Sequence, residues 1–167
     1  MTTDNNRAAR NPVTPKDNQK VQELVNKIVA TEAVYIFKLY HRHFYVKGTH
    51  FFVLHEKFEE LYTNATEVFD EIAERLLAIG GQPYSSMTQF LEHSILEDYP
   101  QNNNTPEAEM VRDTISDIEA IVNLLVEGIE LTGEVGDSVT EDILIGYKTE
   151  YDKQLWMLNA FLGNKMS

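Results

Sequence analysis

Two histidines and three carboxylates in one stretch of the chain are candidate metal ligands. They are His43, His55, Glu59, Asp70 and Glu74. Imidazole nitrogen combined with carboxylate oxygen is a donor set that suits iron, manganese or zinc. The apolar residues around them recur at helical spacing, so the geometry of a helix decides which of these side chains can meet.

The last four of these residues fall on one stripe of a single predicted helix. At about 100° of rotation per residue, positions 55, 59, 70 and 74 lie at roughly 0°, 40°, 60° and 100° around its axis. At about 1.5 Å of rise per residue, the pair 55/59 is roughly 16–22 Å from the pair 70/74 along the axis. One metal centre cannot span that distance. We therefore predict a metal site shared between subunits, in which two antiparallel copies of the helix bring the two pairs together.

Each of these residues also has a purely structural explanation when it is taken alone. His43 could complement the dipole at the end of a helix. His55 could be a half-buried histidine, and Glu74 could form a surface pair with Arg75. The set as a whole favours ligands. A di-iron centre within one bundle uses Glu-x-x-His pairs, and no histidine in this chain has glutamate three positions before it, which also favours a shared site.

Length and composition restrict the class of protein. The chain has 167 residues and no cysteine, which fits one domain and excludes thiolate metal sites and disulfides. No apolar run approaches the roughly 20 residues of a membrane span, and no segment near the N-terminus resembles a signal peptide. We expect a soluble cytoplasmic protein with no membrane partner.

Charge is distributed unevenly along the chain. The formal net charge is −13, whereas residues 1–20 carry four basic and two acidic side chains, a net charge of 4 − 2 = +2. The acidic body argues against nonspecific nucleic-acid binding by the surface as a whole. The basic residues of the N-terminal arm are Arg7, Arg10, Lys16 and Lys20.

Helical periodicity predicts four long helices and one short helix. The long helices are expected at about 17–44, 50–79, 105–131 and 138–162, and the short one near 87–92. Asp17, Thr49 and Thr105 are the expected N-caps of the first three long helices. Gly80 is expected to end the second, and the third is expected to stop before Gly133 and Gly136.

These elements predict an all-α fold. The connection after the second long helix must cross the length of a four-helix bundle, so we predict a ferritin-like bundle with a short extra helix in that connection. The predicted bundle occupies residues 17–163. A flexible arm at 1–16 precedes it and a tail at 164–167 follows it.

Several motifs together resemble those of the Dps mini-ferritins. They are the run from His43 to Gly48, the residues Phe51, His55, Glu59 and Tyr62, and the segment Asp70-Glu71-Ile72-Ala73-Glu74-Arg75. The resemblance extends to Gly-Gly-x-Pro after the second helix, to Gly136-Asp137-Ser138-Val139-Thr140, and to Asp152-Lys153 with Trp156. It covers most of the chain, and the combination of motifs is highly specific.

This resemblance implies a hollow homododecamer, built from two-fold dimers, that oxidises Fe(II), preferably with hydrogen peroxide, and stores Fe(III) mineral. It also implies a ferroxidase centre across the dimer two-fold that binds up to two irons. His43, His55 and Glu59 of one chain would bind iron together with Asp70 and Glu74 of the partner subunit.

Two positions depart from the family pattern. The third ligand position is usually aspartate in the family, whereas this chain has Glu59. The residue after the first histidine is commonly tryptophan, whereas here it is Phe44. If that tryptophan accepts oxidising equivalents in the family, Tyr40, Tyr45 or Tyr62 must replace it in this chain.

The resemblance also implies acidic pores that admit iron near the start of the last helix. Asp142 matches a family pore position, and Asp137 and Glu141 are its neighbours. The alternative is that these three acids only cap the helix and complement its dipole.

Two other functions stay open at the sequence level. One is a DNA-binding nucleoid protein with little ferroxidase activity, in which Arg7, Arg10, Lys16 and Lys20 contact phosphates and many arms on one cage add their affinities. The other is a catalytically silent helical bundle that only binds other proteins.

Overall fold

The computed structural model describes residues 14–98 and 102–164, which form five α-helices and no strand. The helices are α1 (Pro15–Tyr45), α2 (Phe51–Ala78), α3 (Met87–His93), α4 (Glu107–Val135) and α5 (Ser138–Phe161). The all-α prediction and the short extra helix are confirmed. Arg7 and Arg10 lie outside the described residues, as do most of the predicted arm and tail. No helix in the described part of the chain has the length and apolar content that crossing a membrane requires.

α1 begins two residues earlier than predicted, because Thr14 rather than Asp17 is its N-cap. The Thr14 hydroxyl accepts a hydrogen bond from the backbone N–H of Asp17 at 3.1 Å. Pro15 occupies the first helical position, where no backbone N–H is needed. Pro15, which lies in the predicted flexible arm, therefore starts the helix.

The predicted N-caps of α2 and α4 were also wrong. The N-cap of α2 is His50 rather than Thr49, and the N-cap of α4 is Pro106 rather than Thr105. The Thr105 hydroxyl instead donates to the carbonyl of Asn102 at 3.2 Å. No side-chain hydrogen bond caps the start of either helix.

α4 passes through Gly133 and ends four residues later than predicted. Gly136 is the residue with left-handed backbone, at φ = 81°, and its N–H and that of Asp137 bond back to the carbonyls of Gly133 and Thr132. A glycine ends a helix when its backbone is left-handed, since glycine alone carries no Cβ penalty there. Gly133 remains helical and does not end α4.

Hydrogen bonds between the helices define an antiparallel bundle. The Gln22 amide, near the start of α1, donates to the carbonyl of Ile79, at the end of α2, at 2.7 Å. Arg75, in the last turn of α2, donates from Nε to the hydroxyl of Thr140, at the start of α5, at 2.9 Å. Each of these contacts joins the end of one helix to the beginning of another.

The connection between α2 and α4 crosses the bundle, as predicted. It leaves the far end of α2 and delivers α4 beside the α1–α2 turn, where Glu107 Oε2 accepts from the backbone N–H of His50 at 3.1 Å. α3 lies in this connection and packs on α1. The backbone N–H of Ile95, just after α3, donates to the hydroxyl of Thr31 in α1 at 3.2 Å.

A buried ion cluster joins α1 to α4. Asp117 in α4 accepts from Arg42 Nη2 at 2.6 Å and from Lys38 Nζ at 2.8 Å. Arg42 is fully buried and immediately precedes His43 in the chain. Because a buried pair is costly to break by removing one partner, this cluster fixes the end of α1 that carries the first candidate ligand.

One carboxyl group lies in the middle of the apolar core. Glu32 in α1 is fully buried, and the hydroxyl of Tyr151 in α5 lies 2.9 and 2.7 Å from its two oxygens. Burial raises the pKa of Glu32 to about 8, although the hydrogen bond from Tyr151 acts in the opposite direction. Glu32 is therefore protonated in the folded protein at neutral pH, which avoids an isolated buried charge.

The raised pKa of Glu32 makes stability depend on pH. The folded-state pKa of Glu32 lies above the usual value of 4.5. The stabilisation that comes from protonated Glu32 is therefore complete below pH 4.5 and is lost as the pH rises towards 8. Over this window we expect the free energy of unfolding to fall by about 1.4 kcal/mol per pH unit. Glu32→Gln should remove this decline in denaturant titrations from pH 5 to 9. Exposed Glu119→Gln is the control, and parallel curves for Glu32→Gln and the wild type would contradict the assignment.

Candidate metal centre

His43 and His55 hold each other in place across the α1–α2 turn. Nδ1 of His43 donates to the backbone carbonyl of His55 at 2.8 Å, and Nδ1 of His55 donates to the backbone carbonyl of His43 at 2.9 Å. Carbonyl oxygen only accepts, so both Nδ1 atoms carry a proton. The rings stack with centroids 3.8 Å apart and planes inclined by 19°. In each neutral imidazole the Nε2 lone pair is therefore the one that could bind a metal ion. The hydrogen bond from Nδ1 fixes the orientation of the ring, as it does in metal-ligating histidines.

The turn between α1 and α2 is fixed by the first residue of α4. Gly48 has φ = 131°, and a Cβ at this position would lie 2.6 Å from Oε2 of Glu107. Glu107 also accepts from Nδ1 of His50 at 2.6 Å. This hydrogen bond is the main reason that the pKa of Glu107 is lowered. The positive φ of Gly48 favours glycine, and the turn at this residue sets the path of the chain that brings His55 back to His43.

The structure brings together only part of the predicted ligand set. His43 is largely buried and His55 is half-buried, whereas Glu59, Asp70 and Glu74 are exposed. All residues from 55 to 74 lie in the single continuous helix α2, so the axial separation of the two pairs is real. Within the described residues of one chain, no three histidine or acidic side chains are grouped closely enough to hold a metal ion.

Aromatic side chains surround the histidine pair. Tyr62 in α2 meets the ring of His43 edge-on, with centroids 5.4 Å apart, and stacks on Tyr40 with centroids 4.0 Å apart. Phe51 stacks on His55, and Phe44 lies against His43. The pKa of the Tyr62 phenol is raised, mainly by desolvation and to a smaller extent by the charges of Glu59 and Tyr40.

The three predicted pore acids differ in their surroundings. Asp137 caps α5, accepts from the N–H of Thr140 at 3.1 Å and forms an ion pair with Arg75 at 3.1 Å. Glu141 lies over Gly133, where an added Cβ would come within 3.0 Å of its Oε1. Asp142 is exposed. Capping thus accounts for Asp137 but not for Asp142.

The remaining histidines, His41, His50 and His93, lie in different surroundings. His93 is exposed and stacks on Tyr84, and His50 is exposed but bonds to Glu107. His41 is half-buried and lies against Tyr45, with centroids 4.8 Å apart. Residue types and spacing alone could not predict the bonds from the two imidazoles to backbone carbonyls. The twelve-residue spacing across a glycine turn was the available signal.

Comparison with known proteins places this chain in a family. A family model described as a ferritin-like domain matches residues 22–166. The DNA protection during starvation protein 2 of Bacillus anthracis is 46% identical over 145 residues, covering 87% of this chain and 98% of that protein. The DNA protection during starvation protein of Listeria monocytogenes is 42% identical over 142 residues, covering 85% of this chain and 91% of that protein.

Solved structures agree with the sequence relatives. The X-ray structure of Dps from Listeria monocytogenes has a TM-score of 0.84 at 41% identity, covering 86% of this chain and 94% of that one. Dps from Staphylococcus aureus has a TM-score of 0.83 at 40% identity, covering 89% and 97%. With helices, connections and sequence in agreement over this length, the chain belongs to the Dps proteins of the ferritin-like family.

Proposed function

We propose that this protein oxidises Fe(II) at a site shared between two subunits and stores the Fe(III) product. Membership of the Dps proteins implies iron storage, and the shared ferroxidase site is the more specific proposal. The observation that carries it is the pair of reciprocal hydrogen bonds between His43 and His55, which leave two Nε2 atoms as neutral donors at one place. A histidine pair that served only the core would not need both rings locked in the same tautomer.

The donor types fit a site that oxidises iron. Neutral histidine nitrogen holds Fe(II) without cancelling its charge, whereas hard carboxylate oxygens favour the ferric state. Two Fe(II) ions bound close together supply the two electrons that peroxide accepts: two Fe(II), one hydrogen peroxide and two protons give two Fe(III) and two waters. Paired oxidation of this kind releases no hydroxyl radical.

The proposed site is completed by a second copy of the chain. His55 and Glu59 lie at one end of the stripe on α2, with His43 of α1 stacked on His55. A two-fold axis would set these three residues against Asp70 and Glu74 of the partner subunit. Glu74 is the candidate to bridge two irons. Exposed apolar side chains near the histidines, including Phe37 at 54% and Phe44 at 66% exposure, provide surface that such a dimer would cover. We infer that these dimers assemble further into a hollow dodecamer.

His55→Ala should abolish the rapid phase of Fe(II) oxidation. The protein would be loaded with Fe(II) anaerobically and mixed with hydrogen peroxide, and ferric formation would be followed by absorbance. Exposed His93→Ala is the matched control and should oxidise iron at the wild-type rate. Equal rates for His55→Ala and the wild type would remove the ligand role.

A mixing experiment tests whether the site is shared. His55→Ala and Glu74→Ala should each be inactive, but a dimer with one chain of each type contains one intact site. Random reassociation of the two variants should therefore restore about one quarter of the wild-type sites, as two-fold symmetry requires. A mixture as inactive as its components would show instead that His55 and Glu74 act within one chain.

Asp142 is the best candidate for an iron-entry pore, with Glu141 beside it, because its carboxylate is exposed. Asp142→Asn should slow iron uptake several-fold at low ionic strength, and salt should reduce the difference, since the effect is electrostatic. Asp137→Ala is the contrasting variant. Loss of its cap and its bond to Arg75 should lower stability by about 1 kcal/mol without a comparable effect on uptake. Unchanged uptake in Asp142→Asn would exclude this entry route.

DNA binding is the second candidate function, supported by the names of the relatives and by the basic N-terminal region. Lys16 and Lys20 are exposed at the start of α1. Removal of residues 1–13 deletes Arg7 and Arg10 but keeps the Thr14 cap, so α1 should stay intact. We expect weaker DNA retardation in gels and a smaller dependence of affinity on salt. Unchanged retardation would exclude a role of the deleted residues.

A further inference from the structure

Arg75 ties the last turn of α2 to the start of α5. Its Nε donates to the hydroxyl of Thr140 at 2.9 Å, and its Nη2 donates to Oδ1 of Asp137 at 3.1 Å. The Thr140 hydroxyl donates in turn to Oδ2 of Asp137 at 2.5 Å. Each of the three side chains is therefore bonded to the other two, and this closed network fixes the position of the guanidinium.

The network is largely shielded from water. Thr140 is buried, and the side chains of Arg75 and Asp137 are 21% and 12% exposed. A partly buried ion pair with additional hydrogen bonds holds its geometry better than a pair on the open surface, which water and salt weaken. The planar guanidinium suits this arrangement, because it presents several N–H groups to fixed acceptors at once.

Glu74, the neighbour of Arg75 in α2, has no such partner. The sequence allowed a surface pair between these two residues, but the guanidinium is bonded to α5 instead. Within the two described ranges, the carboxylates of Glu74 and Asp70 are exposed and make no hydrogen bond or ion pair. A guanidinium paired with Glu74 would compete with a metal ion for that carboxylate. Its engagement on α5 removes this competition.

We propose that Arg75 is a positioning residue for the acid half of the shared site, meaning Asp70 and Glu74. Its bonds to Thr140 and Asp137 hold the last turn of α2 in place and keep its own charge away from Glu74. The inference rests on the ferroxidase proposal above and adds a residue that binds no iron itself. Arg75 acts on the affinity of the acid half for Fe(II) and not on the oxidation step.

The first test follows the rapid phase of ferric formation with hydrogen peroxide while the Fe(II) concentration is varied. Arg75→Gln should need several-fold more Fe(II) for the half-maximal rate. The rate at saturating Fe(II) should change little, because bound iron meets the same ligands. Asp137→Ala keeps the bond from Nε to Thr140 and should show a smaller shift. Exposed Arg112→Gln is the matched control and should equal the wild type. An unchanged half-maximal concentration in Arg75→Gln would overturn the proposal.

A mixing experiment shows which half of the site Arg75 serves. Reassociation of Arg75→Gln with His55→Ala should give wild-type affinity in about one quarter of the sites, because a mixed dimer joins the intact histidines of the first chain to the intact acids of the second. Arg75→Gln with Glu74→Ala should give no such sites, because both changes damage the acid half. A general loss of structure in the Arg75→Gln chain would leave both mixtures without wild-type sites, and that result would overturn the proposal.

Two further results separate the possible failures. If reassociated His55→Ala and Glu74→Ala regain no activity, the shared site has failed and the role of Arg75 falls with it. If they regain activity while Arg75→Gln has wild-type affinity for Fe(II), only the role of Arg75 is overturned.

A second variant covers the case in which Arg75→Gln does not fold. Arg75→Lys keeps the positive charge, but an ammonium on a flexible stem cannot hold Thr140 and Asp137 in the same fixed geometry. This variant should also need several-fold more Fe(II) for the half-maximal rate. Wild-type affinity in Arg75→Lys would overturn the proposal.

Discussion

The proposed metal site depends on two hydrogen bonds, from the imidazole N–H groups of His43 and His55 to each other's backbone carbonyls. They join the last turn of α1 to the first turn of α2 and orient two rings at once. Local side-chain orientation of this kind is what distinguishes a prepared metal site from a chance group of ligands. The buried Arg42–Asp117 pair holds the same end of α1 against α4, so the first histidine is anchored from two sides.

The second constraint is the rigidity of α2. A continuous helix keeps His55 and Glu74 on a common stripe while holding them far apart. If the proposed site exists, the subunit carries two incomplete halves of it, and association would complete them. Iron oxidation and assembly would then be coupled. In the single subunit the carboxylates of Glu59, Asp70 and Glu74 are exposed to water.

The fold was largely predictable because the apolar periodicity of four long helices is strong. The errors were at helix ends, where competing hydrogen bonds decide the outcome: Thr14 replaced Asp17 as a cap, and Gly136 rather than Gly133 adopted a left-handed backbone. The candidate ligands could be found from spacing, but the histidine–carbonyl bonds and the stacked tyrosines depend on tertiary packing. The burial of Glu32 could not be predicted for another reason. A single acid within an apolar run does not reveal that a phenol from a distant helix, Tyr151, will bond to it.

The contact between Gly48 and Glu107 restricts how the α1–α2 turn can change during evolution. One residue inserted before α2 would rotate His55 by about 100° around the helix axis, which would turn its ring away from His43. A side chain at position 48 would displace the Glu107 carboxylate and disturb the entry of the chain into α4. The length of this turn is therefore strictly determined, although none of its residues belongs to the proposed metal site.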